Sequence, residues 1–448
     1  MKKYDVFVLG SGMAGMNIAN RCAGKGLKVG VTDELPYGGT CALRGCDPKK
    51  ILLGATEAFH LAQNLAEKEI ATLPNLHWEK AKEYKQEFVD SMPPKIEKGY
   101  EKNGVDTFHQ SAKFISENQL QVGNETIEAD KIVIAAGAKP RVLEIPGGDL
   151  TLTSTDFLNF DRLPKSLIFI GGGYIAFEFA HMAARYGSKV TIVHRGSRPL
   201  ENFESFIVEQ LMEATKQLDI DLVLETDVTA VEKTAKGFSV TGKSQSKEQK
   251  WEAEQVINSA GRPPAIFDLD LEKANINFGK RGIEVNKFLQ STSNPRIYAA
   301  GDAADTDGLP LTPVAVMEGH IVASNILKGN NKQADYTGIP TVVFTLPTMA
   351  SVGLTEVKAK AENLDFTVKK NSVPGWFTAK RINEKTYAFK TLIEKESGKI
   401  LGVHLIGPHS DEVINLFAMA IKAGLTAMDI KTMILTYPSA SSDIVYMV

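Results

Sequence analysis

The chain has 448 residues and a net charge of −3 at pH 7, and 43% of its residues are hydrophobic while 23% are charged. This composition is typical of a globular protein with two to four domains, and the small net charge gives no reason to expect a nucleic-acid partner. No apolar run approaches the roughly 20 residues that a membrane span requires, and no targeting segment precedes the first strand, so we expect a cytoplasmic protein.

The first predicted unit is a strand, a glycine loop and a helix over residues 4–24. Gly10, Gly12 and Gly15 of the loop let the backbone turn tightly and bring a pyrophosphate to the positive end of the helix. A second strand ends in Asp33, whose carboxylate is placed to accept hydrogen bonds from a ribose. The unit therefore predicts a dinucleotide site.

Two cysteines spaced C-x-x-x-x-C, Cys41 and Cys46, follow this unit. With three cysteines in the chain, a structural disulfide framework is excluded, and Cys22 is expected to be a small core residue. A helix expected to start at Pro48 would lower the pKa of the neighbouring cysteine. Asp47 is expected to cap this helix or to face solvent, because a carboxylate turned toward the sulfur would oppose the thiolate. The pair predicts a disulfide that a flavin opens and closes.

An amphipathic helical stretch is expected over residues 48–103, with interruptions at Pro74 and at Pro93-Pro94. A β-rich segment follows it. In the last third of the chain the pattern is α+β and includes a helix over residues 410–423.

A second strand, glycine loop and helix occupy residues 166–186, with Gly171 and Gly173 in the loop. Where an NAD-specific site would place a carboxylate after the next strand, this chain has a basic segment with Arg195 and Arg198. A cation there suits a 2′-phosphate and favours NADPH over NADH. An arginine pair on a solvated face is the alternative interpretation.

Taken together, these motifs resemble the class I flavoprotein disulfide oxidoreductases, the family of glutathione reductase, dihydrolipoamide dehydrogenase and mercuric reductase. The stretches that carry the resemblance are residues 10–15, 33, 39–41, 45–46, 137–140, 171–178, 261–262, 298–302, 311–313, 339–344 and 352–356. The resemblance implies an α/β fold with two Rossmann-like domains, one for FAD (1–147 and 266–330) and one for NAD(P) (148–265). It also implies a C-terminal α+β dimerisation domain (335–448).

The resemblance implies roles for single residues as well. Cys46 resembles the thiol next to the flavin, and Cys41 the interchange thiol that attacks a substrate disulfide. Lys49 and Glu178 resemble the family's ion pair near flavin N5, and Tyr174 resembles the lid over the isoalloxazine. Other implied cofactor contacts are Asp33 on the adenosine ribose, Asp302 on the ribityl chain, and Gly39, Thr40, Gly137, Gly261 and Thr312. The C-terminal domain implies a homodimer whose active site is completed by the partner chain.

The sequence departs from the family near its C-terminus, where disulfide-reducing members carry His-Pro-x-x-x-Glu. Here Tyr437 replaces the histidine and Ser442 the glutamate, with Asp443 one position further on. A tyrosine with an ordinary pKa of about 10 is a poor proton shuttle at pH 7 compared with histidine at about 6.5. Asn20 and His320 stand where glutathione reductases have arginines.

These observations predict an FAD-dependent NADPH oxidoreductase with Cys41, Cys46, Lys49, Glu178 and Tyr437 as candidate catalytic residues and no bound metal. Electrons would pass through the flavin to the cysteine pair and then to a disulfide or another thiol-reactive acceptor. Because the histidine is missing, an oxidase, quinone reductase or metal-ion reductase on the same scaffold is an alternative. A nucleotide-binding sensor without catalysis is a further one.

Overall fold

The computed structural model describes residues 1–245 and 247–448. Its α-helices are α1 (Met13–Ala23), α2 (Gly39–Arg44), α3 (Cys46–Ala66), α4 (Trp78–Lys102), α5 (Ser154–Leu158), α6 (Tyr174–Arg185), α7 (Ser205–Lys216), α8 (Thr312–Lys328), α9 (Glu356–Ala361), α10 (Phe377–Lys380), α11 (Ser410–Ala423) and α12 (Ala427–Lys431). Short 3₁₀ helices lie at Gly148–Leu150, Leu271–Ala274, Gly301–Ala303 and Ala440–Tyr446.

The strands are β1 (Lys2–Leu9), β2 (Val29–Thr32), β3 (Asp106–Phe108), β4 (Ala112–Ser116), β5 (Gln119–Val122), β6 (Glu125–Ile134), β7 (Ser166–Ile170), β8 (Lys189–Val193), β9 (Asp221–Val223), β10 (Asp227–Thr234), β11 (Gly237–Ser244), β12 (Lys247–Ala253), β13 (Gln255–Asn258), β14 (Phe278–Gly279), β15 (Gly282–Glu284), β16 (Ile297–Ala299), β17 (Ala304–Asp305), β18 (Thr341–Val343), β19 (Thr348–Gly353), β20 (Phe366–Ser372), β21 (Ala388–Glu394) and β22 (Ile400–Gly407). No helix in the described part of the chain is long and apolar enough to cross a membrane.

One compact unit consists of Met1–Leu52, Lys82–Arg141 and Arg262–Tyr336. Its main sheet has the order β3-β2-β1-β6-β5-β4, with β16 paired to β6, and the strands β3, β2, β1, β6 and β16 are parallel. Val6 and Val8 of β1 pack into one core with Ile18 of α1, whereas Phe7 and Leu9 pack into a second core on the other face. Burial on both faces is typical of a parallel sheet covered on two sides, and it places the glycine loop at the carboxyl edge of β1.

The other compact unit consists of Leu53–Ala81, Val142–Gly261 and Thr337–Val448. It contains a parallel sheet of order β13-β7-β8-β9, in which α6 follows β7 directly as in a βαβ unit. A second, antiparallel sheet of order β18-β19-β22-β21-β20 packs against α11 through a shared apolar core. The predicted helix over residues 410–423 is confirmed in this unit as α11.

Two local predictions are wrong. The helix after the cysteine pair begins at Cys46 rather than at Pro48, and the preceding residues from Gly39 form the separate helix α2. Helix α4 also continues through Pro93 and Pro94, which were expected to interrupt it. The carbonyl groups that lose a donor belong to Val89 and Asp90, which are half-buried and exposed, so solvent can reach this turn.

Candidate active site

The first glycine loop requires glycine at two positions for steric reasons. Gly10 has φ +104°, and a Cβ there would lie 2.3 Å from the carbonyl oxygen of Ala135. A Cβ on Gly15 would lie 2.0 Å from the Gly10 oxygen. Gly12 precedes α1 without a side-chain cap, and Gly39 packs so closely that its Cβ would lie 2.5 Å from the Gly12 Cα. The loop and the uncapped helix start therefore fit a bound pyrophosphate, as FAD requires.

Asp33 is held beside this loop by a residue that the sequence did not single out. Its Oδ2 accepts hydrogen bonds from the Ser11 backbone N–H at 2.9 Å and from the Ser11 hydroxyl at 2.7 Å. The Ser11 Oγ in turn accepts from the Gly38 N–H at 3.2 Å. Ser11 thereby ties the carboxylate predicted to bind a ribose to the segment that leads into the cysteine pair.

Arg44 lies near Asp33, and Arg262 lies near Arg44. Burial lowers the pKa of Arg44, Asp33 counteracts that effect, and the positive charge of Arg262 adds to it. The Arg262 Nη2 donates to the Ala138 oxygen at 2.6 Å. Burial raises the pKa of Asp302, and Arg262 opposes that increase. Arg44 was missed from the sequence, although its position between the two cysteines could have drawn attention to it.

The turn that carries Asp302 is supported by a buried carboxylate on α8, Glu318, which the sequence analysis also missed. Its Oε2 accepts from the Gly301 N–H at 2.6 Å, and its Oε1 accepts from the Tyr336 hydroxyl at 2.7 Å. Gly301 has φ +68°, which favours glycine. These contacts hold Asp302 in place through the backbone of its neighbour.

The two site cysteines lie on adjacent helices: Cys41 is inside α2 and Cys46 is the first residue of the 21-residue helix α3. Both are free thiols; Cys41 is half-buried and Cys46 is exposed. The Cys46 Sγ lies 3.5 Å from the hydroxyl oxygen of Thr312, which is the first residue of α8. The Cys41 Sγ lies 4.0 Å from the Asp47 Oδ1.

The surroundings make the two thiols unequal. A hydrogen bond from Cys41 is the largest influence on Cys46, and it lowers the pKa of that thiol. Partial desolvation of the Cys46 sulfur works against this effect, but Thr312 and the positive charge of Lys49 add to it, and the pKa falls to about 6. The same hydrogen bond, followed by burial, raises the pKa of Cys41 above its usual range. At neutral pH the pair therefore holds one proton on Cys41 and a thiolate on Cys46.

In the second unit, the loop between β7 and α6 repeats the steric pattern of the first. Gly171 has φ +110°, and a Cβ there would lie 2.6 Å from the Ser259 oxygen, whereas nothing approaches within 4 Å of a Cβ on Gly173. Tyr174 begins α6 and is 45% exposed. One turn further on, Glu178 is buried and its Oε1 accepts from the Phe344 N–H at 2.8 Å.

The basic segment after β8 is folded back on itself. The Arg198 guanidinium donates to the backbone oxygens of Phe203 at 2.9 Å and Glu201 at 3.0 Å, whereas Arg195 is exposed. The buried His194 accepts from the Gly172 N–H through Nδ1 at 3.2 Å. Arg198 therefore stabilises the loop through these hydrogen bonds, whereas the Arg195 side chain is exposed to solvent.

The C-terminal segment carries Tyr437 with its side chain 75% exposed. The Ser442 hydroxyl donates to the Ser439 oxygen at 2.6 Å, and Asp443 accepts from the buried Tyr387 hydroxyl at 2.9 Å. Ser442 and Asp443 therefore have partners of their own near Tyr437.

Asn20 and His320, which replace the arginines of glutathione reductases, line one cleft of about 460 Å³ in the first unit. Four cations from neighbouring positions also line it: Arg21, Lys25, Lys328 and Lys332. Burial, together with Arg21 and Lys332, lowers the pKa of His320, so His320 is neutral at pH 7. The cleft is positively charged although both expected arginines are absent.

The predicted site residues fall into two groups. The first unit holds Gly10, Gly12, Gly15, Asp33, Gly39, Thr40, Cys41, Cys46, Lys49, Gly137, Asp302 and Thr312. The second unit holds Gly171, Gly173, Tyr174, Glu178, Arg195, Arg198, Gly261 and Tyr437. The Lys49–Glu178 ion pair joins residues of different units, and it stays a prediction, as does the lid role of Tyr174.

The chain has two glycine loops of the kind that bind dinucleotides, and two cysteines of unequal pKa follow the first loop. This combination is typical of flavin-linked disulfide oxidoreductases. The family described as pyridine nucleotide-disulphide oxidoreductase matches residues 4–319, and its dimerisation domain matches residues 339–448. The chain belongs to this family.

Relatives of known name share most of its length. A glutathione reductase from Burkholderia cepacia is 32% identical, with 99% of both chains covered. A mercuric reductase from Staphylococcus aureus is 34% identical over 95% of this chain and 78% of its own. A solved structure described as a Cu(II) complex of the HOCl-induced flavoprotein disulfide reductase RclA from Escherichia coli is similar with a TM-score of 0.88 and 29% identity, covering 100% of this chain and 99% of its own.

Proposed function

We propose that the chain is an FAD-dependent NADPH oxidoreductase that uses Cys41 and Cys46 as a redox disulfide to reduce a thiol-reactive acceptor. The observation that carries this proposal is the inequality of the two thiols. A thiolate at Cys46 and a protonated Cys41 correspond to the flavin-side and interchange roles that the family resemblance implies. A cytoplasmic location, where thiols are kept reduced, suits such a pair.

FAD would be held by the first glycine loop, Asp33 and the turn at Asp302. The chemistry that bound FAD would supply is hydride acceptance from a nicotinamide and transfer of the electron pair to a disulfide. The chain's own residues position this chemistry: α1 offers its uncapped N-terminus to the pyrophosphate, and Lys49 and Thr312 stabilise the Cys46 thiolate. Because Thr312 and Lys49 lower the pKa of Cys46, this thiol is a reactive thiolate at neutral pH.

We propose a preference for NADPH that rests on Arg195. Its side chain is exposed at the start of the segment after β8, where a 2′-phosphate would lie, while Arg198 donates hydrogen bonds to backbone oxygens of the same loop. His194 occupies the position of a ribose-binding carboxylate. Arg195→Gln should therefore raise the KM for NADPH more than the KM for NADH.

The class of acceptor is inferred from two features, the missing histidine and the positive charge of the Asn20–His320 cleft. Without the histidine, the C-terminal segment offers no imidazole to protonate a basic leaving thiolate, so acceptors whose leaving group is already a weak base are favoured. Aromatic disulfides and other electrophilic sulfur compounds meet this condition. The cations around the Asn20–His320 cleft favour an anionic acceptor.

We also propose that the chain acts as a homodimer. The matching dimerisation domain supports this, as does a set of exposed apolar side chains in the same region. That set comprises Met419, Met428, Met433, Ile434, Tyr437 and Tyr446. Ile434 is fully exposed in the single chain, and a partner subunit would cover it.

The test is a screen of NADPH oxidation with aromatic disulfides, oxidised glutathione, quinones, oxygen and Hg(II), using the FAD-loaded protein and Cys41→Ser as control. We expect turnover with an aromatic disulfide that falls to background in Cys41→Ser. Bound FAD without NADPH oxidation by any acceptor would contradict the proposal and favour the sensor interpretation.

A quinone- or metal-ion-reducing activity is the second candidate. It is favoured by Tyr437 in place of the histidine, and by the similarity to proteins named as a mercuric reductase and as a Cu(II) complex of a disulfide reductase. Turnover with quinone, Hg(II) or Cu(II) that survives Cys41→Ser, with none for disulfides, would support it over the first.

A further inference from the structure

Asp47 does not lie where its sequence context predicts. It was expected to cap α3 or to face solvent, but α3 already begins at Cys46, and the Asp47 Oδ1 lies 4.0 Å from the Cys41 Sγ. This is the outer limit of a hydrogen bond from a thiol. The carboxylate is half-buried, and burial raises its pKa above the usual range. It is therefore a better proton acceptor than an exposed aspartate.

The C-terminal segment does not supply a histidine for the same task, because the last histidine in the chain is His409. Tyr437 stands at the histidine position, and its hydroxyl is a weak acid at neutral pH. Ser442 and Asp443 are occupied by the Ser439 oxygen and the Tyr387 hydroxyl. If Cys41 is to lose its proton to a side chain of its own chain, a group outside this segment must accept it.

We propose that the Asp47 carboxylate is the proton acceptor for Cys41, supplied by the same chain in place of the missing histidine. This proposal rests on the disulfide chemistry proposed above. It makes Asp47 a catalytic residue, because its carboxylate lies 4.0 Å from the reacting sulfur, at the limit of hydrogen-bond range.

The step balances with a low-molecular-weight disulfide as the oxidant. The Cys41 proton moves to the Asp47 carboxylate while the Cys41 sulfur bonds to one sulfur of the acceptor, whose S–S bond breaks and whose other half leaves as a thiolate with the electron pair. The Cys46 thiolate then attacks the Cys41 sulfur, forms the Cys41–Cys46 disulfide and releases the second thiolate. Asp47 returns its proton to one departing thiolate.

The charges around the pair support this division of work. The hydrogen bond to Cys46 and burial raise the pKa of Cys41, and the charge of Asp47 adds to this increase. Lys49 of α3 lowers the pKa of Cys46, and Asp47 opposes that effect. The third element in contact, the start of α8, contributes the uncharged Thr312. Asp47 therefore has two opposing effects on the reaction of Cys41. Its negative charge disfavours the Cys41 thiolate, which slows attack, whereas its carboxylate accepts the proton during attack, which accelerates it.

These two effects can be separated with Asp47→Asn, which removes both charge and basicity at nearly constant shape. The FAD-loaded variant is reduced with NADPH and then mixed with an aromatic disulfide or oxidised glutathione across pH 6–10. We expect reduction by NADPH to be unchanged and reoxidation at pH 7 to slow by about 100-fold, the lower end for general base catalysis. The rate should recover as the pH rises and Cys41 ionises without help.

Asp47→Glu should restore part of the rate, and Asp130→Asn, the same change at an exposed aspartate of the same unit, should behave as the wild type. Reoxidation that is unchanged or faster in Asp47→Asn would overturn the proposal, because a carboxylate that acts only through its charge should accelerate the reaction when it is removed.

Alkylation of Cys41 by iodoacetamide, followed by peptide mass spectrometry, gives a readout independent of turnover. The midpoint pH of Cys41 alkylation should fall in Asp47→Asn, because a like charge has been removed, and an unchanged midpoint would contradict the contact itself. If the wild type reduces no disulfide with NADPH, the proposed function fails, and the alkylation midpoint still decides whether Asp47 governs the Cys41 proton.

Discussion

The hydroxyl of Thr312 offers a direct test of how the Cys46 thiolate is stabilised. Thr312→Val removes the partner 3.5 Å from the Cys46 Sγ while keeping the shape of the side chain. A hydrogen bond to a charged group contributes about 1.5–3 kcal/mol, and one pKa unit corresponds to about 1.36 kcal/mol. Because the contact is long and Cys46 is exposed, we expect the hydrogen bond to contribute the lower limit of this energy. Its loss should therefore raise the pKa of Cys46 by about one unit.

The pKa of Cys46 would then rise from about 6 toward about 7. The thiolate is present above this pKa and is lost as the pH falls through it. At pH 6.5 the thiolate fraction should therefore fall from roughly three quarters in the wild type to roughly one quarter in the variant. Activity that depends on the thiolate should shift its acid limit upward by the same amount.

The assay is an anaerobic pH titration of the long-wavelength thiolate–flavin absorbance after reduction with one equivalent of NADPH. Thr312→Ser keeps the hydroxyl and serves as the matched control, so its midpoint should stay close to the wild type. An unchanged midpoint in Thr312→Val would refute the assigned role of the hydroxyl. Equal shifts in both variants would mean that the start of α8, rather than the hydroxyl, controls the thiolate.

Two further predictions concern the scaffold. Lys390 is buried and forms an ion pair with the buried Glu204 at 2.6 Å. Lys390→Met should therefore lower the free energy of unfolding, measured by denaturant titration, by about 3–5 kcal/mol. Adding Glu204→Gln should recover much of this loss. An unchanged midpoint for Lys390→Met would contradict this. Gly10→Ala should abolish FAD retention on gel filtration because its Cβ would lie 2.3 Å from a backbone oxygen, whereas Gly99→Ala, with nothing within 4 Å, should keep the cofactor. Full FAD occupancy in Gly10→Ala would show that the loop can relax.

Several features of the molecule could be predicted because they depend on local spacing. The strand, glycine loop and helix units need a fixed order of small and apolar residues over about 30 positions, so Gly10 and Gly171 identify them directly. Helix α11 matches its predicted bounds because its apolar period is regular and Gly424 ends it. The helix through Pro93 and Pro94 could not be predicted, because a proline pair normally ends a helix.

The sequence by itself determined the family, the two dinucleotide-binding units and the position of the cysteine pair, because these are properties of residue order. Only the tertiary structure decided the direction of side chains: Asp47 turns to Cys41, Arg198 turns to its own loop, and Ser11 turns to Asp33. These directions depend on the exact start of a helix for Asp47, on the conformation of a loop for Arg198, and on packing between segments distant in the chain for Ser11. The role proposed for Asp47 depends on such a direction.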